Sequence, residues 1–326
     1  MEYVRLGATG LKVSRLALGC MSFGEPERGN HQWTLAEAEA RPLFQQALDA
    51  GINFLDTANV YSDGTSEEIV GKLLKEHGRR DEIVLATKVF GRMNASPNAA
   101  GLSRKAILSE VDNSLRRLGT DYIDLYQTHF WDSETPIEET LEALNDIVKA
   151  GKVRYIGASN MYAWQFATAI QISKRKNWAA FASMQLHLNL IYREEEREML
   201  PLCRAEGIGV MTFSPLARGI LTKGSGSQSK RAETDNVTGR FYEKAAAADR
   251  VVVDEVAKIA AERGLPQAQI ALAWVLQKQG VTCPIIGATK PSHLQDAVGS
   301  LAVKLTDDEI QRLEAPYVPH DVVGLM

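Results

Sequence analysis

The sequence predicts an α/β fold, a closed (β/α)8 barrel of TIM type forming one domain over residues 1–326. Three observations predict it. Short apolar, β-branched runs alternate with longer stretches whose apolar residues recur every three or four positions, which is the mark of repeated strand–helix units. Several runs are apolar on both faces, as parallel strands covered by helices must be. Eight such runs occur with no long linker between them, and the GxGxxG that an open doubly wound sheet would usually carry after its first strand is missing.

Taken in order, Tyr3 to Val13 precedes the first unit and reads as a hairpin that closes the barrel bottom. The strands are Arg15 to Met21, Ile52 to Ala58, Ile83 to Phe90, Tyr122 to Phe130, Val153 to Ser159, Phe181 to Asn189, Ile208 to Ser214 and Cys283 to Ala288. After the first strand, Thr34-Leu-Ala-Glu37 reads as a capping box, whose hydroxyl and carboxylate satisfy backbone donors, and opens a helix that stops near Gly51. After Ser103, the residues Ile107, Val111, Leu115 and Leu118 fall on one helical face before Gly119 breaks it. Leu141, Leu144 and Val148 repeat the pattern before Gly151, and Thr306-Asp-Asp-Glu309 opens an extra C-terminal helix. Thr222 to Arg240 breaks the rhythm and resembles a lid.

Composition bounds the function. With 45% hydrophobic and 24% charged residues in 326, the chain is an ordinary globular protein with a large core. A net charge of -4 provides no positive field for a polyphosphate, so nucleic acid is not an expected partner. Cys20, Cys203 and Cys283 show no CxxC spacing and read as buried thiols of a reducing compartment. The N-terminus lacks a basic-then-apolar leader and no long apolar run appears, so the expectation is a cytoplasmic protein without a membrane span.

In such barrels the chemistry gathers where strands run into the following loops. Asp56 ends the second strand, Lys88 lies near the end of the third and His129 ends the fourth, with Tyr61 five residues beyond Asp56. Singly, each has an ordinary structural role as a cap, a snorkelling cation or a core ring. Together, polar interruptions of successive apolar strands point to one site, because a buried lysine or aspartate is expensive unless the two meet.

Asp56, Tyr61, Lys88 and His129, in this order and context, resemble the catalytic tetrad of the aldo-keto reductases. The likeness spans nearly the whole chain through Leu18-Gly-Cys-Met-Ser-Phe-Gly24, Ser66-Glu-Glu68, Ile156-Gly-Ala-Ser-Asn160, Ser214-Pro-Leu-Ala-Arg-Gly219 and Ile286-Gly-Ala288. Gly29-Asn-His-Gln-Trp33, the segment Ile191 to Pro201 and Pro316-Tyr-Val-Pro-His320 look like the bacterial YajO-type branch.

The resemblance implies reduction of an aldehyde or ketone by hydride from NADPH, without a metal or a covalent intermediate. Tyr61 would donate the proton, Lys88 would lower the phenol's pKa, Asp56 would hold Lys88, and neutral His129 would orient the carbonyl. By the same resemblance Ser159, Asn160 and Gln185 would bind the nicotinamide carboxamide and Phe213 would stack on its ring. Ser214, Pro215, Leu216, Ala217, Arg218 and Gly219 would follow the pyrophosphate, with Lys223 and Arg240 reaching in from the lid, while Gly19, Cys20, Met21 and Asp56 would border the cofactor from the first two strands. At the adenosine end stand Gly287, Thr289, Lys290, His293 and Asp296. Many relatives carry arginine at His293 and asparagine at Ala297, but Lys290 can still meet a 2'-phosphate, which favours NADPH over NADH. Met21, Trp33, Tyr61, Phe90, His129, Phe130 and Trp131 would border the substrate pocket.

Other readings stay open: a nicotinamide-binding redox-sensing subunit like the potassium-channel β-subunits of the same branch, or conversion of a sugar phosphate towards 1-deoxyxylulose 5-phosphate. A metal-dependent hydrolase or lyase is disfavoured, since His31, His77, His129, His187, His293 and His320 form no close ligand pair. No protein partner is predicted, and the expected partner is a small carbonyl compound.

Overall fold

The computed structural model describes residues 1–324 except 30, 78 and 223–235. Two short strands, β1 (Tyr3–Arg5) and β2 (Lys12–Ser14), pair antiparallel as the expected hairpin. Eight further strands follow: β3 (Ala17–Gly19), β4 (Phe54–Asp56), β5 (Val84–Val89), β6 (Ile123–Thr128), β7 (Val153–Ser159), β8 (Phe181–His187), β9 (Gly209–Phe213) and β10 (Val281–Gly287). All pair parallel, and β10 joins both β9 and β3 to close the barrel. The fold is the (β/α)8 barrel that the strand–helix rhythm predicts.

Around it run α1 (Glu37–Asp49), α2 (Thr65–His77), α3 (Arg104–Leu118), α4 (Ile137–Lys149), α5 (Ala163–Lys176) and α6 (Met199–Glu206). They continue with α7 (Asn236–Tyr242), α8 (Ala246–Arg263), α9 (Gln267–Gln277), α10 (Pro291–Ser300) and α11 (Asp307–Glu314). Punctuation read from the sequence explains several boundaries. Ser103 accepts a hydrogen bond from Ala106 N at the start of α3, and Gly119 ends that helix at φ 61. Thr306 and Glu309 form the reciprocal capping box of α11. Among the described residues no helix is long and apolar enough to cross a membrane.

The Thr34 capping box does not form. Leu35 is held extended by its bridge to Phe23, with Leu35 N donating to Ser22 O at 2.8 Å and Gly24 N donating to Leu35 O at 2.9 Å. The helix therefore starts only after Ala36, and Thr34 Oγ1 donates to His31 O instead. β3 and β4 are also shorter than predicted, because the chain turns into a 3-10 segment at Cys20–Ser22 and leaves regular pairing after Asp56. Of the lid read at Thr222 to Arg240, residues 223–235 lie outside the described residues and Asn236–Tyr242 is helical.

The barrel interior explains where the site sits. Its lower layer is apolar: Phe54, Val84, Ala86, Leu125, Met211 and Cys283 pack with Leu6 and Val13 of the hairpin, which plugs the bottom. Alternate residues of a strand share a face, so the same inward faces arrive two positions later at Asp56, Lys88 and Gln127. The interior thus changes from hydrocarbon to charge on approaching the C-terminal ends of the strands. Gly157 makes room there, since a Cβ at this position would lie 2.5 Å from Ser183 Oγ and 3.0 Å from Gln127 Cγ.

Candidate active site

Lys88 is the centre of the polar layer. Its Nζ donates to Asp56 Oδ2 at 2.6 Å, to the Thr57 carbonyl at 2.8 Å and to Tyr61 Oη at 3.2 Å. Three acceptors match the three protons of an ammonium. Asp56 keeps its other oxygen for two amides, accepting at Oδ1 from Gln127 Nε2 and Gln185 Nε2, each at 3.0 Å. The ion pair is thus fully hydrogen-bonded, the condition under which a buried pair is tolerated. Sheet register assembles it: Gly19 pairs with Asp56, Lys88 with Gln127, and Ser159 with Gln185.

Tyr61 reaches the ammonium through a strained loop. It opens a 3-10 turn in which Ser62 and Asp63 adopt φ 45 and φ 51, a left-handed conformation that ordinary side chains avoid at roughly 1–2 kcal/mol each. Thr65 Oγ1 donates to Ser62 O and Arg28 to Asp63 O, so the turn is held from both sides. Gly24 is required beside it, because a Cβ there would sit 2.3 Å from Ser62 Oγ. His129 follows β6; its ring stands edge-on to Tyr61 with centroids 5.8 Å apart, and its carbonyl accepts from Asn160 Nδ2 at 3.0 Å.

The four predicted residues therefore meet at one rim, with a division of exposure. Lys88 is 0% exposed and Asp56 3%, whereas Tyr61 and His129 are half-buried at the opening. Burial alone would push the Lys88 ammonium down, but Asp56 and Tyr61 outweigh it and hold its pKa above the ordinary lysine range. Burial pushes the Tyr61 phenol up; Lys88 pulls against this and Asp56 adds to it, leaving the phenol above its ordinary value. The resemblance implied a lowered phenol; in the structure Lys88 limits a rise that desolvation sets, and Tyr61 is a protonated donor at neutral pH. Burial and the charge of Lys88 hold His129 well below the usual histidine range, so it is neutral.

The remaining predicted residues divide. Ser159 Oγ is buried with no hydrogen-bond partner among the described residues. Gln185 commits its Nε2 to Asp56 and to Gln127 Oε1, leaving its own carbonyl oxygen to accept. Phe213, partly exposed at the end of β9, stacks on His187 at 5.0 Å and 11°. Ser214, Ala217, Arg218 and Gly219 run through positive φ values of 50, 48, 56 and 101, Pro215 is buried and Leu216 partly so. Thr289, with N donating to His293 Nδ1 at 3.3 Å, and exposed Lys290 lead into α10 beside exposed Gly287. Asp296, further along α10, accepts from Gln269 at 3.5 Å. Met21 is partly buried, while Cys20 is fully buried and its Sγ lies on Leu18 O. Trp33 is buried against His31, a packing position and not an open wall. Lys223 and the side chain of Arg240 lie outside the described residues.

An aromatic border surrounds the rim. Phe130 stacks on His129 at 5.0 Å and meets Phe90 at 5.4 Å, and Trp131 meets Trp164 at 6.3 Å. Trp164, 64% exposed at the start of α5, was not foreseen, although it follows Asn160 by four residues. Gln127 was not foreseen either. Its signal was present: Leu125, Gln127 and His129 share one strand face, and a lone amide there faces the same interior as Lys88.

Comparison with known proteins decides the family, since residues 15–317 match the Aldo/keto reductase family. The chain belongs to it. Among similar proteins, the versiconal hemiacetal acetate reductase of Aspergillus parasiticus is 45% identical over 98% of each chain. An aldo-keto reductase of Fusarium vanettenii is 39% identical over 99% of this chain and 93% of its own. A Schizosaccharomyces pombe protein bearing the name aryl-alcohol dehydrogenase is 40% identical over 99% and 97%. This aldo/keto reductase therefore stands beside fungal reductases along its whole length, and its membership supports an oxidoreductase that acts on a small molecule.

Proposed function

We propose that the protein reduces an aldehyde or ketone to the alcohol with NADPH, using Asp56, Tyr61, Lys88 and His129. The observation that carries this is the three-way contact of Lys88 with Asp56, Thr57 and Tyr61 beneath an open, aromatic rim. The residues fit a nicotinamide cofactor. The orphaned Ser159 hydroxyl and the unused Gln185 oxygen suit a carboxamide, the partly exposed face of Phe213 suits its ring, and Arg218, in the turn with positive φ at Ser214, Ala217, Arg218 and Gly219, supplies a cation suited to a diphosphate. Lys290, at the N-terminus of α10, suits a 2'-phosphate, because the helix end adds its own partial positive charge.

When bound, the cofactor supplies hydride to the carbonyl carbon. The chain's own part is to place and protonate the oxygen. His129, neutral and half-buried, donates a hydrogen bond to the carbonyl and orients it. Tyr61, protonated at neutral pH, gives its proton to the oxygen as negative charge develops there, and the adjacent Lys88 ammonium stabilises the tyrosinate that results. Asp56, Gln127 and Gln185 keep the ammonium charged and in place. Phe90, Phe130, Trp131 and Trp164 favour substrates with an apolar or aryl body, in keeping with the name of the Schizosaccharomyces pombe relative.

The YajO-type likeness, with its sugar-phosphate chemistry, rests on three short segments of sequence and ranks behind the aryl reading. A cytoplasmic site of action, following from the buried thiols, is part of the same proposal. The test is oxidation of NADPH and of NADH, followed at the nicotinamide absorbance, over aryl aldehydes, aliphatic ketones, diketones, sugars and sugar phosphates. Turnover of aryl aldehydes with NADPH is expected; no turnover together with tight cofactor retention would favour the redox-sensing reading.

A further inference from the structure

His187 ends β8, and the chemistry above leaves it unused. It is 3% exposed and lies within a parallel stack, with Tyr192 at 4.1 Å and 14° on one side and Phe213 at 5.0 Å and 11°. Phe213 is the ring assigned to the nicotinamide in the proposed function, and the present inference rests on that reading.

The surrounding polar atoms form one hydrogen-bonded cluster, in which Asn189 Nδ2 also lies 3.3 Å from His187 Nε2. Asn189 Oδ1 accepts from Ile191 N at 3.0 Å, which orients the amide. Its Nδ2 then donates one proton to Ser214 O at 2.9 Å and the other to Tyr242 Oη at 3.0 Å. The Tyr242 hydroxyl in turn is hydrogen-bonded with His187 Nε2 at 2.7 Å. His187 Nδ1 has no hydrogen-bond partner among the described residues. Burial first, and then the charges of Arg218 and His320, push the imidazole pKa down to about 3, so the ring is neutral. A phenyl group would stack here without an unpartnered buried ring nitrogen, which costs roughly 1–3 kcal/mol. What the imidazole adds is the hydrogen bond with Tyr242.

The other end of the same network holds the backbone. Ser214 sits at φ 50, and the carbonyl that Asn189 pins belongs to this strained residue, the first of the segment assigned to the diphosphate. Arg218, in the same segment, donates to Thr238 Oγ1 at 3.2 Å. Thr238 and Tyr242 are four residues apart on α7 and so lie on one helical face. One short helix thus grips the loop at Arg218 and, through Asn189 and His187, at Ser214 and Phe213.

We propose that His187, Asn189 and Tyr242 form a positioning unit that fixes the Phe213 ring and the Ser214 carbonyl for the nicotinamide half of the cofactor and sets how long the cofactor stays bound. None of the three touches the reacting atoms. Their effect is on cofactor residence and not on carbonyl affinity.

The test is stopped-flow measurement of NADPH release from the full chain by fluorescence, beside steady-state KM values for cofactor and carbonyl. Tyr242→Phe deletes a single oxygen, His187→Phe keeps a flat ring without the ring nitrogens, and Tyr126→Phe is a buried control outside the unit. Release should quicken about five- to tenfold in Tyr242→Phe and His187→Phe, the scale of one buried hydrogen bond. The control should keep the original rate, and the carbonyl KM should stay within about twofold in all three. Unchanged release in both variants, or a carbonyl KM that rises in step with the cofactor KM, overturns the proposal. If the unaltered chain binds neither NADPH nor NADH, the cofactor reading itself fails and this one with it.

Discussion

The Lys88 ammonium lies 3.2 Å from the Tyr61 hydroxyl and 4.9 Å from the centre of its ring. One cation therefore acts directly on the phenol oxygen, while the pairing with Asp56 holds that cation inside the barrel. A charge in this position favours tyrosinate over tyrosine, which is the change required when the phenol gives up its proton.

Removing one member of the pair should therefore reach stability as well as chemistry. Lys88→Met leaves the Asp56 carboxylate buried with only two amide donors, and a loss of about 3–5 kcal/mol is expected in urea unfolding. Adding Asp56→Asn removes the stranded charge and should recover much of that loss. Strictly additive losses would show that the two groups are not coupled in this way.

His187 makes folding sensitive to acid. The unfolded chain binds a proton at this residue below about 6.5, whereas the folded chain keeps it neutral to about 3. The unfolded state thus holds more protons between these values, and stability falls as pH drops. The loss from this residue should reach about 2 kcal/mol at about pH 5. His129, also depressed, adds in the same direction. Urea titrations at neutral and mildly acid pH should show a smaller difference in His187→Phe than in the unaltered protein. An equal difference would mean that the imidazole titrates normally.

Trp164 offers a probe of the rim. It is 64% exposed, so Trp164→Ala should leave the melting temperature nearly unchanged. If the ring meets the far end of an aryl substrate, KM for a two-ring aldehyde should rise about fivefold, the scale of one aromatic contact, with little change for a short aliphatic aldehyde. Equal effects on both would place the ring outside the binding surface.

Buried thiols should be unreactive. Cys20, Cys203 and Cys283 are free and buried, and burial raises all three, Cys203 and Cys283 to about 12. Ellman's reagent should find almost no thiol in the native protein and three after denaturation. Rapid labelling of a native thiol would contradict the packing.

The barrel was legible because strand–helix alternation and apolar faces are local properties of the sequence. The meeting of Asp56, Tyr61 and Lys88 was legible because a polar residue inside an apolar strand needs a partner. Gln127 escaped attention because its role appears only when sheet register sets it beside Lys88. The Thr34 box failed because a tertiary bridge from Phe23 to Leu35 overrides a local capping preference. His187 could be read in sequence only as a strand residue, since its partners Tyr242 and Phe213 come from distant segments. The direction of the Tyr61 shift depended on burial depth, a quantity that spacing does not contain.

In the proposed mechanism Tyr61 delivers the proton that accompanies carbonyl reduction. The most direct measurement is single-turnover oxidation of bound NADPH by an aryl aldehyde, comparing Tyr61→Phe with the unaltered protein. A fall of at least about 100-fold in this step is expected, with cofactor affinity within about threefold of the original. A Tyr61→Phe protein that oxidises NADPH at close to the original rate would contradict it.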